Sequence, residues 1–184
     1  MQAGELRPGM AINFNGQIHV VTEYQHVTPG NWRAMVQTTL KNLKTGKTVK
    51  NRFRPQDSVE AVMLESKDCQ YLYHNDGQYY FLDLEDYHNH AVSAEIVGER
   101  SHFLAENLEV KLSINEGVVV DLEMPASVLL KVLETEPGSR GDTVTNVMKF
   151  ATVETGYSIQ VPIFIKQGEV IKVDTRTGQY LSRS

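Results

Sequence analysis

The recurrence of short apolar runs between turn residues constrains the fold of this chain more than any other feature. Runs of about four to eight β-branched or aromatic residues alternate with hairpin-type turns, of which Asn15-Gly16 and Asp76-Gly77 are the clearest. Helical patterning is confined to the segment 93–107, where we predict one or two short helices with Ser93 or Ser101 as an N-cap. The pattern predicts an all-β protein without a helix of ordinary length.

The length of 184 residues suits three small β modules, because each module would take about 60 residues. We expect them at 1–62, 63–124 and 125–184. A strand with one buried face is predicted just before the second boundary, from the alternating residues Val118, Val120, Leu122 and Met124. Small barrels solve the edge-strand problem at this size, and the five-stranded OB type is common among nucleic-acid-binding proteins.

The net charge of −5 is unevenly distributed along the chain. Residues 1–62 hold eight basic and four acidic residues, a net charge of +4, whereas residues 63–124 hold three basic and thirteen acidic residues, a net charge of −10. Residues 125–184 are close to neutral at +1. The basic first module is interpreted either as a solvated surface or as a surface that contacts phosphate. The acidic middle module would be repelled from RNA and is expected to face protein or solvent.

Composition and motifs exclude several classes of protein. Apolar residues make up 41% of the chain and charged residues 22%, which is ordinary for a globular protein. The N-terminus lacks the apolar stretch of a signal peptide, and no run approaches the ~18 apolar residues of a membrane span. We therefore expect a cytoplasmic protein with no membrane partner. There is no phosphate-binding Gly-rich loop and no nucleophile elbow, so we expect no enzymatic activity, no cofactor and no small-molecule substrate.

Cysteine and histidine usage gives little support for a reactive or metal-binding centre. Cys69 is the only cysteine, so it forms no disulfide within the chain, and beside Asp68 it is expected to be a packed or surface thiol instead of a low-pKa nucleophile. His88-Asn89-His90 would place two imidazoles on one side of a strand, just after the acidic run Asp83-Leu84-Glu85-Asp86. A metal needs three or four converging ligands, and the spacing does not demand them. A solvated polar loop is the favoured interpretation, and we predict no metal.

The segment from His26 to Arg33 is the most distinctive loop of the first module. Pro29-Gly30 suits the two central positions of a type II turn, because proline presets φ and glycine tolerates a positive φ. Such a turn would project Asn31, Trp32 and Arg33. Trp32 either folds back over the small barrel or stacks on an unpaired nucleotide, with Arg33 near phosphate.

A set of longer motifs extends over all three modules. In the first two modules these are Lys41-Asn42-Leu43, Thr45-Gly46, Phe53-Arg54, Tyr71-Leu72-Tyr73, Asp76-Gly77 and Phe81. In the third they are Thr135-Glu136-Pro137-Gly138, Gly141-Asp142-Thr143, Lys149 to Gly156, Val161-Pro162-Ile163-Phe164-Ile165, Gly168-Glu169 and Ile171 to Tyr180. Together they resemble the bacterial elongation factor P family, end to end and without large insertions.

The resemblance implies a specific architecture and function. Members of that family have an SH3-like, KOW-type N-terminal domain followed by two OB-fold domains, in an L-shaped arrangement similar in outline to a tRNA. They bind both subunits of the ribosome beside the peptidyl-tRNA and promote peptide-bond formation at stalled consecutive prolines. The resemblance therefore implies the ribosome and the peptidyl-tRNA as partners and a monomeric factor.

The resemblance also implies roles for particular residues. Pro29, Gly30, Asn31, Trp32 and Arg33 match the loop that approaches the acceptor end of the peptidyl-tRNA. The loop that faces the exit-site codon matches Gly141, Asp142 and Thr143. The C-terminal positions that contact tRNA and the small subunit match Tyr180 and Arg183.

The tip of the first module departs from the family pattern. Family members usually carry a lysine or arginine after Pro-Gly, and that residue receives a modification. Here the position is Asn31, which has no amine or guanidinium to accept such a group, so we expect the loop to act unmodified. Two other interpretations remain beside an ordinary family member: a paralogue with a different stall specificity, and a free barrel protein that binds single-stranded RNA.

Overall fold

The computed structural model describes residues 1–28, 30, 34–136 and 147–184. Its strands form three five-stranded sheets, and each sheet takes its strands from one continuous part of the chain. The only helices in these residues are short, so the predicted all-β class is confirmed. None of the described helices has the length and apolar character needed to cross a membrane.

The first sheet is a series of antiparallel hairpins in the order β4-β3-β2-β1-β5. Its strands are β1 (Ala11–Phe14), β2 (Gln17–Val27), β3 (Met35–Asn42), β4 (Thr48–Phe53) and β5 (Glu60–Val62). The turn between β1 and β2 has φ of 54° at Asn15 and 75° at Gly16, and the two positive values are those of a hairpin turn that matches the twist of its strands. The predicted Asn-Gly hairpin is therefore confirmed.

A small apolar core lies against the first sheet. Its buried members are Ala3, Leu6, Ile12, Val21, Leu40 and Val59. A 3-10 turn at Ala3–Glu5 contributes Ala3, and its N-terminal strand-like residue Gln2 pairs with Ser58. The N-terminus is thus tied into the first sheet.

The second sheet has the order β10-β9-β6-β7-β8. Its strands are β6 (Glu65–Asn75), β7 (Gln78–Asp83), β8 (Asn89–Ser93), β9 (Glu109–Asn115) and β10 (Val118–Glu123). The predicted short helices are present as α1 (Ala94–Val97) and a 3-10 helix over Gly98–Phe103. Ser93 occupies the N-cap position of α1 although its side chain makes no capping hydrogen bond, whereas Ser101 lies inside the 3-10 helix, so the prediction of Ser101 as an N-cap was wrong.

The buried face predicted for β10 is only partly correct. Leu122 is 1% exposed, as expected, but Val118 is 65% exposed and its neighbour Val119 is buried. Buried residues three positions apart cannot share one face of a regular strand, so the face turned inward changes along β10. Packing explains this change, because the chain divides into two compact units, Met1–Ser66 with Leu112–Asp121 and Lys67–Lys111 with Leu122–Ser184, and the division falls within β10.

The third sheet has the order β13-β12-β11-β14-β15. Its strands are β11 (Ser127–Thr135), β12 (Met148–Val153), β13 (Ser158–Pro162), β14 (Val170–Asp174) and β15 (Tyr180–Arg183). Alternating buried residues of the four longer strands form its core together with Ile165, and Phe103 from the preceding 3-10 helix is part of the same cluster. The third sheet therefore depends on a side chain that precedes it in the chain by more than twenty residues.

Candidate nucleic-acid interface

The predicted acceptor-end loop joins the longest strand of the first sheet to its neighbour. The pairs His26 with Val36 and Val27 with Met35 continue the β2–β3 ladder up to the loop. Gly30 is exposed and has a φ of 46°, in the left-handed region that glycine adopts without strain. The other members of the predicted tip, Pro29, Asn31, Trp32 and Arg33, lie outside the described residues.

A polar face extends across the three strands at the base of this loop. Strand register aligns Gln25 with Gln37 and Gln37 with Arg52 in one row, and Glu23 with Thr39 and Thr39 with Lys50 in the next. Because side chains two residues apart on a strand share a face, the two rows lie side by side. They line an open groove of about 870 Å³.

Two cations of this face are available to an external anion. Lys50 and Arg52 are exposed, and neither forms an ion pair with any residue in the described ranges. Thr39 donates a hydrogen bond of 2.6 Å to Glu23 Oε2, so the one acidic group of the rows is engaged locally. The arrangement suits contact with phosphate, because Arg and Lys donors dominate protein contacts to nucleic-acid backbones.

The basic turn between β3 and β4 is organised by a buried asparagine. Asn42 Oδ1 accepts hydrogen bonds of 2.9 Å from the backbone N–H groups of Lys44 and Thr45, and its Nδ2 donates to Gln17. The turn carries exposed Lys41, Lys44 and Lys47. Sequence reasoning noted Asn42 only as part of a family motif, since its side-chain partner Gln17 is distant in the sequence.

The C-terminal candidates both belong to β15, at one edge of the third sheet. Tyr180 is half-buried, pairs with Val173 and packs against the core of that sheet. Arg183 is exposed, and its Nη1 lies 3.4 Å from Glu169 Oε1. The other third-module candidates, Gly141, Asp142 and Thr143, lie outside the described residues.

The acidic run after β7 is not the uniformly solvated loop that the sequence suggested. Asp83 is fully buried, and its Oδ1 accepts hydrogen bonds from the backbone N–H groups of Glu85 and Asp86. These bonds and the nearby Lys67 ammonium lower the pKa of Asp83 to about 2 against the opposing effect of burial. The interpretation holds for exposed Glu85 and His88 and is wrong for Asp83, because strand pairing places it opposite Cys69 inside the sheet.

Burial also determines the chemistry of the single thiol. Cys69 has no exposed surface, and burial raises its pKa to about 11. The thiolate is the reactive form of cysteine, so a protonated buried thiol is a poor nucleophile. The expectation of a packed thiol is confirmed.

Comparison with known proteins assigns all three parts of the chain to one family. Residues 2–59 match the elongation factor P KOW-like domain, residues 64–122 match the elongation factor P OB domain, and residues 128–183 match the elongation factor P C-terminal domain. The chain belongs to the elongation factor P family. The resemblance inferred from the motifs is confirmed, as is the fold class of a KOW-like domain followed by OB-type domains.

Individual relatives agree with this assignment over their full length. Elongation factor P of Caldicellulosiruptor bescii is 46% identical over 184 residues, which covers 100% of this chain and 99% of that protein. Elongation factor P of a Nocardioides species is 46% identical and covers 97% of this chain and 96% of that protein. Membership therefore makes this chain a translation factor by family.

A solved structure supports the fold independently. The translation initiation factor eif-5a family protein from Naegleria fowleri superposes with a TM-score of 0.51 at 17% identity, covering 67% of this chain and 96% of that one. At this identity the likeness concerns the fold alone. It is similar to about two thirds of the chain, as expected if the relative has fewer domains.

Proposed function

We propose that this elongation factor P family member binds the ribosome beside the peptidyl-tRNA and promotes peptide-bond formation at stalled consecutive prolines. The observation that carries the proposal is the match of all three domains to a single family of translation factors. We also propose domain boundaries at 62/63 and 124/125, which the matched ranges and the three sheets support.

The first module is proposed to approach tRNA. Its polar face carries Lys50 and Arg52 with no internal ion pair, at the base of the loop proposed to reach the acceptor end. Phosphate contacts of this kind set register and orientation without reading sequence, which suits a factor that must act on different tRNAs. The middle module, with a net charge of −10, is repelled from RNA and faces ribosomal protein or solvent.

The tip is proposed to act without the modification usual in the family. Asn31 offers no amine for a lysyl-type extension, so contact with the acceptor end falls to Trp32 and Arg33 within the Pro29–Arg33 loop. Stacking of an indole on an unpaired base contributes about 1–3 kcal/mol. The intact mass of protein purified from its native host should equal the sequence mass, and a stable adduct on residues 26–36 would contradict the unmodified tip.

The third module is proposed to contact the small subunit and tRNA. Gly141, Asp142 and Thr143 form the loop that faces the exit-site codon, and Tyr180 and Arg183 contact tRNA and the small subunit. Tyr180 has part of its side chain committed to the core, so its hydroxyl-bearing edge is the part left for RNA. Arg183 exchanges its exposed Glu169 partner for phosphate, which costs little because exposed ion pairs are weak.

The mechanism is positioning and not bond making by the factor. Proline is a poor reactant in peptide transfer, and a factor that restrains the peptidyl-tRNA lowers the barrier by excluding misaligned geometries. The ribosome remains the enzyme, and the factor acts as a monomer without a cofactor. Its partners are both ribosomal subunits and the peptidyl-tRNA.

Cosedimentation separates this function from that of a free RNA-binding barrel. The factor should pellet with ribosomes paused on a message encoding three consecutive prolines and should bind free single-stranded RNA far more weakly. Equal affinity for free RNA and paused ribosomes would favour the free RNA-binding protein. Retention on the ribosome without stimulation of proline incorporation would favour a paralogue with a different stall specificity.

A further inference from the structure

Three potential metal ligands meet on neighbouring strands of the second sheet. Cys69 on β6 lies directly opposite Asp83 on β7, and His90 on β8 lies opposite Phe81, two residues before Asp83. Residues two apart on a strand point to the same face, so the three side chains converge. One ligand atom from each residue lies within 4.8 Å of the other two.

Two buried polar atoms at this point lack a hydrogen-bond partner. Asp83 Oδ1 is occupied by the backbone N–H groups of Glu85, at 2.7 Å, and Asp86, at 3.3 Å. Asp83 Oδ2 and His90 Nε2 are both buried, lie 3.7 Å apart, and make no hydrogen bond with any described residue. Buried polar atoms are rarely left in this state, and each one calls for an explanation such as an ion or a functional role.

The Lys67 ammonium is the group that a metal ion would have to displace. Its Nζ lies 3.1 Å from Asp83 Oδ2 and forms an ion pair with it. The same Nζ lies 3.5 Å from Asp86 and 3.6 Å from Glu85, whose carboxylates are more exposed. Lys67 therefore has two other carboxylates to contact if an ion takes Oδ2.

The same residue types would also be those of a nucleophilic triad, but the setting excludes that use. Cys69 has no exposed surface, so no substrate reaches its sulfur. Burial keeps the thiol protonated, and a thiol becomes a good metal ligand when the ion itself displaces the proton.

We propose that Cys69 Sγ, Asp83 Oδ2 and His90 Nε2 form a binding site for a divalent transition-metal ion, with Zn²⁺ as the best match. Zinc accepts sulfur, nitrogen and carboxylate oxygen in one tetrahedral site, and a water takes the fourth position. On binding, the thiol proton is released to solvent, the sulfur, oxygen and nitrogen lone pairs form bonds to the ion, and Lys67 moves to Asp86 or Glu85. The thiolate and carboxylate balance the charge of the ion.

Such a site would join β6, β7 and β8 at the end of the second sheet. A metal held by three strands stabilises the folded state, since the ligands are brought together only on folding. The role is structural and separate from the proposed contacts with tRNA.

The test is a Co²⁺ titration of the full-length protein, monitored by the thiolate-to-cobalt absorption band. We expect one equivalent to bind, to be displaced by Zn²⁺, and to leave Mg²⁺ without effect. Because Cys69 is the only cysteine, the band reports this site alone. No band with wild-type protein would overturn the proposal.

Three variants separate a built site from a solitary thiol. His90→Gln should weaken Co²⁺ binding at least about tenfold, whereas the matched change His88→Gln, at an exposed histidine two residues away, should leave it unchanged. Lys67→Gln removes the competing ammonium and should tighten binding several-fold, which a misfolded variant could not do. Equal affinities for wild type and His90→Gln, or weaker binding by Lys67→Gln, would overturn the site.

Discussion

Truncation of Phe103 should destabilise the third sheet although the residue lies outside it in sequence. Phe103 is 6% exposed, belongs to the core cluster of that sheet, and meets the Tyr157 ring edge-on with centroids 5.5 Å apart. A buried phenylalanine removes about 200 Å² from water, which at about 25 cal/mol per Å² contributes about 5 kcal/mol. Phe103→Ala should therefore lower the free energy of unfolding by about 3–5 kcal/mol, measured by urea denaturation of the full chain.

Phe164 provides the matched control for this prediction. Its side chain is 58% exposed on the same compact unit, so Phe164→Ala should change the free energy of unfolding by less than about 0.5 kcal/mol. A loss below about 1 kcal/mol for Phe103→Ala, or equal losses for the two variants, would refute the argument that the third core requires the preceding 3-10 helix.

Three further predictions concern an acidic group, a turn and the polar face. The lowered pKa of Asp83, about 2 against an ordinary 3.8, means that its stabilisation is present above about pH 4 and lost as pH falls through 2; thermal unfolding should show this loss, and Asp83→Asn should flatten it. Gly178 has a φ of 70°, so Gly178→Ala should destabilise by about 1 kcal/mol in the same assay, and an unchanged melting temperature would contradict the assigned turn. Lys50→Glu with Arg52→Glu should weaken ribosome binding and lower its salt dependence by about one in logarithmic slope for each lost phosphate contact, whereas an unchanged slope would exclude this face from RNA.

The hairpins of this protein could be predicted because their determinants are local. Asn15-Gly16 and Asp76-Gly77 both have positive φ at each turn residue, and few residue pairs adopt that conformation without strain. The short helical segment before β9 was also evident, since the strand period disappears there. Local backbone chemistry thus accounts for most of the element order.

The inward face of β10 was misjudged because burial is not a local property. Alternating apolar residues from Val118 to Met124 predicted one buried face, yet Val119 is buried and Val118 is not. A strand that leaves one compact unit and enters another satisfies two cores in succession. Periodicity within a single strand does not contain that information.

The cluster of Cys69, Asp83 and His90 could not be assembled from spacing in the sequence. His90 and Asp83 were noted as neighbours in the sequence, but Cys69 stands fourteen positions before Asp83 and is brought opposite it by the register of β6 and β7. The departure at Asn31 is the reverse case. It follows from side-chain chemistry alone, since an amide cannot accept a modification that needs an amine or guanidinium.

The most direct test of the proposed function is the rate of tripeptide formation by purified ribosomes on a message encoding three consecutive prolines. Recombinant factor with an unmodified tip should accelerate the reaction, and Trp32→Ala and Arg33→Ala should each reduce the acceleration, while a message without consecutive prolines should show none. No acceleration by the wild-type factor, with ribosome binding intact, would contradict the account.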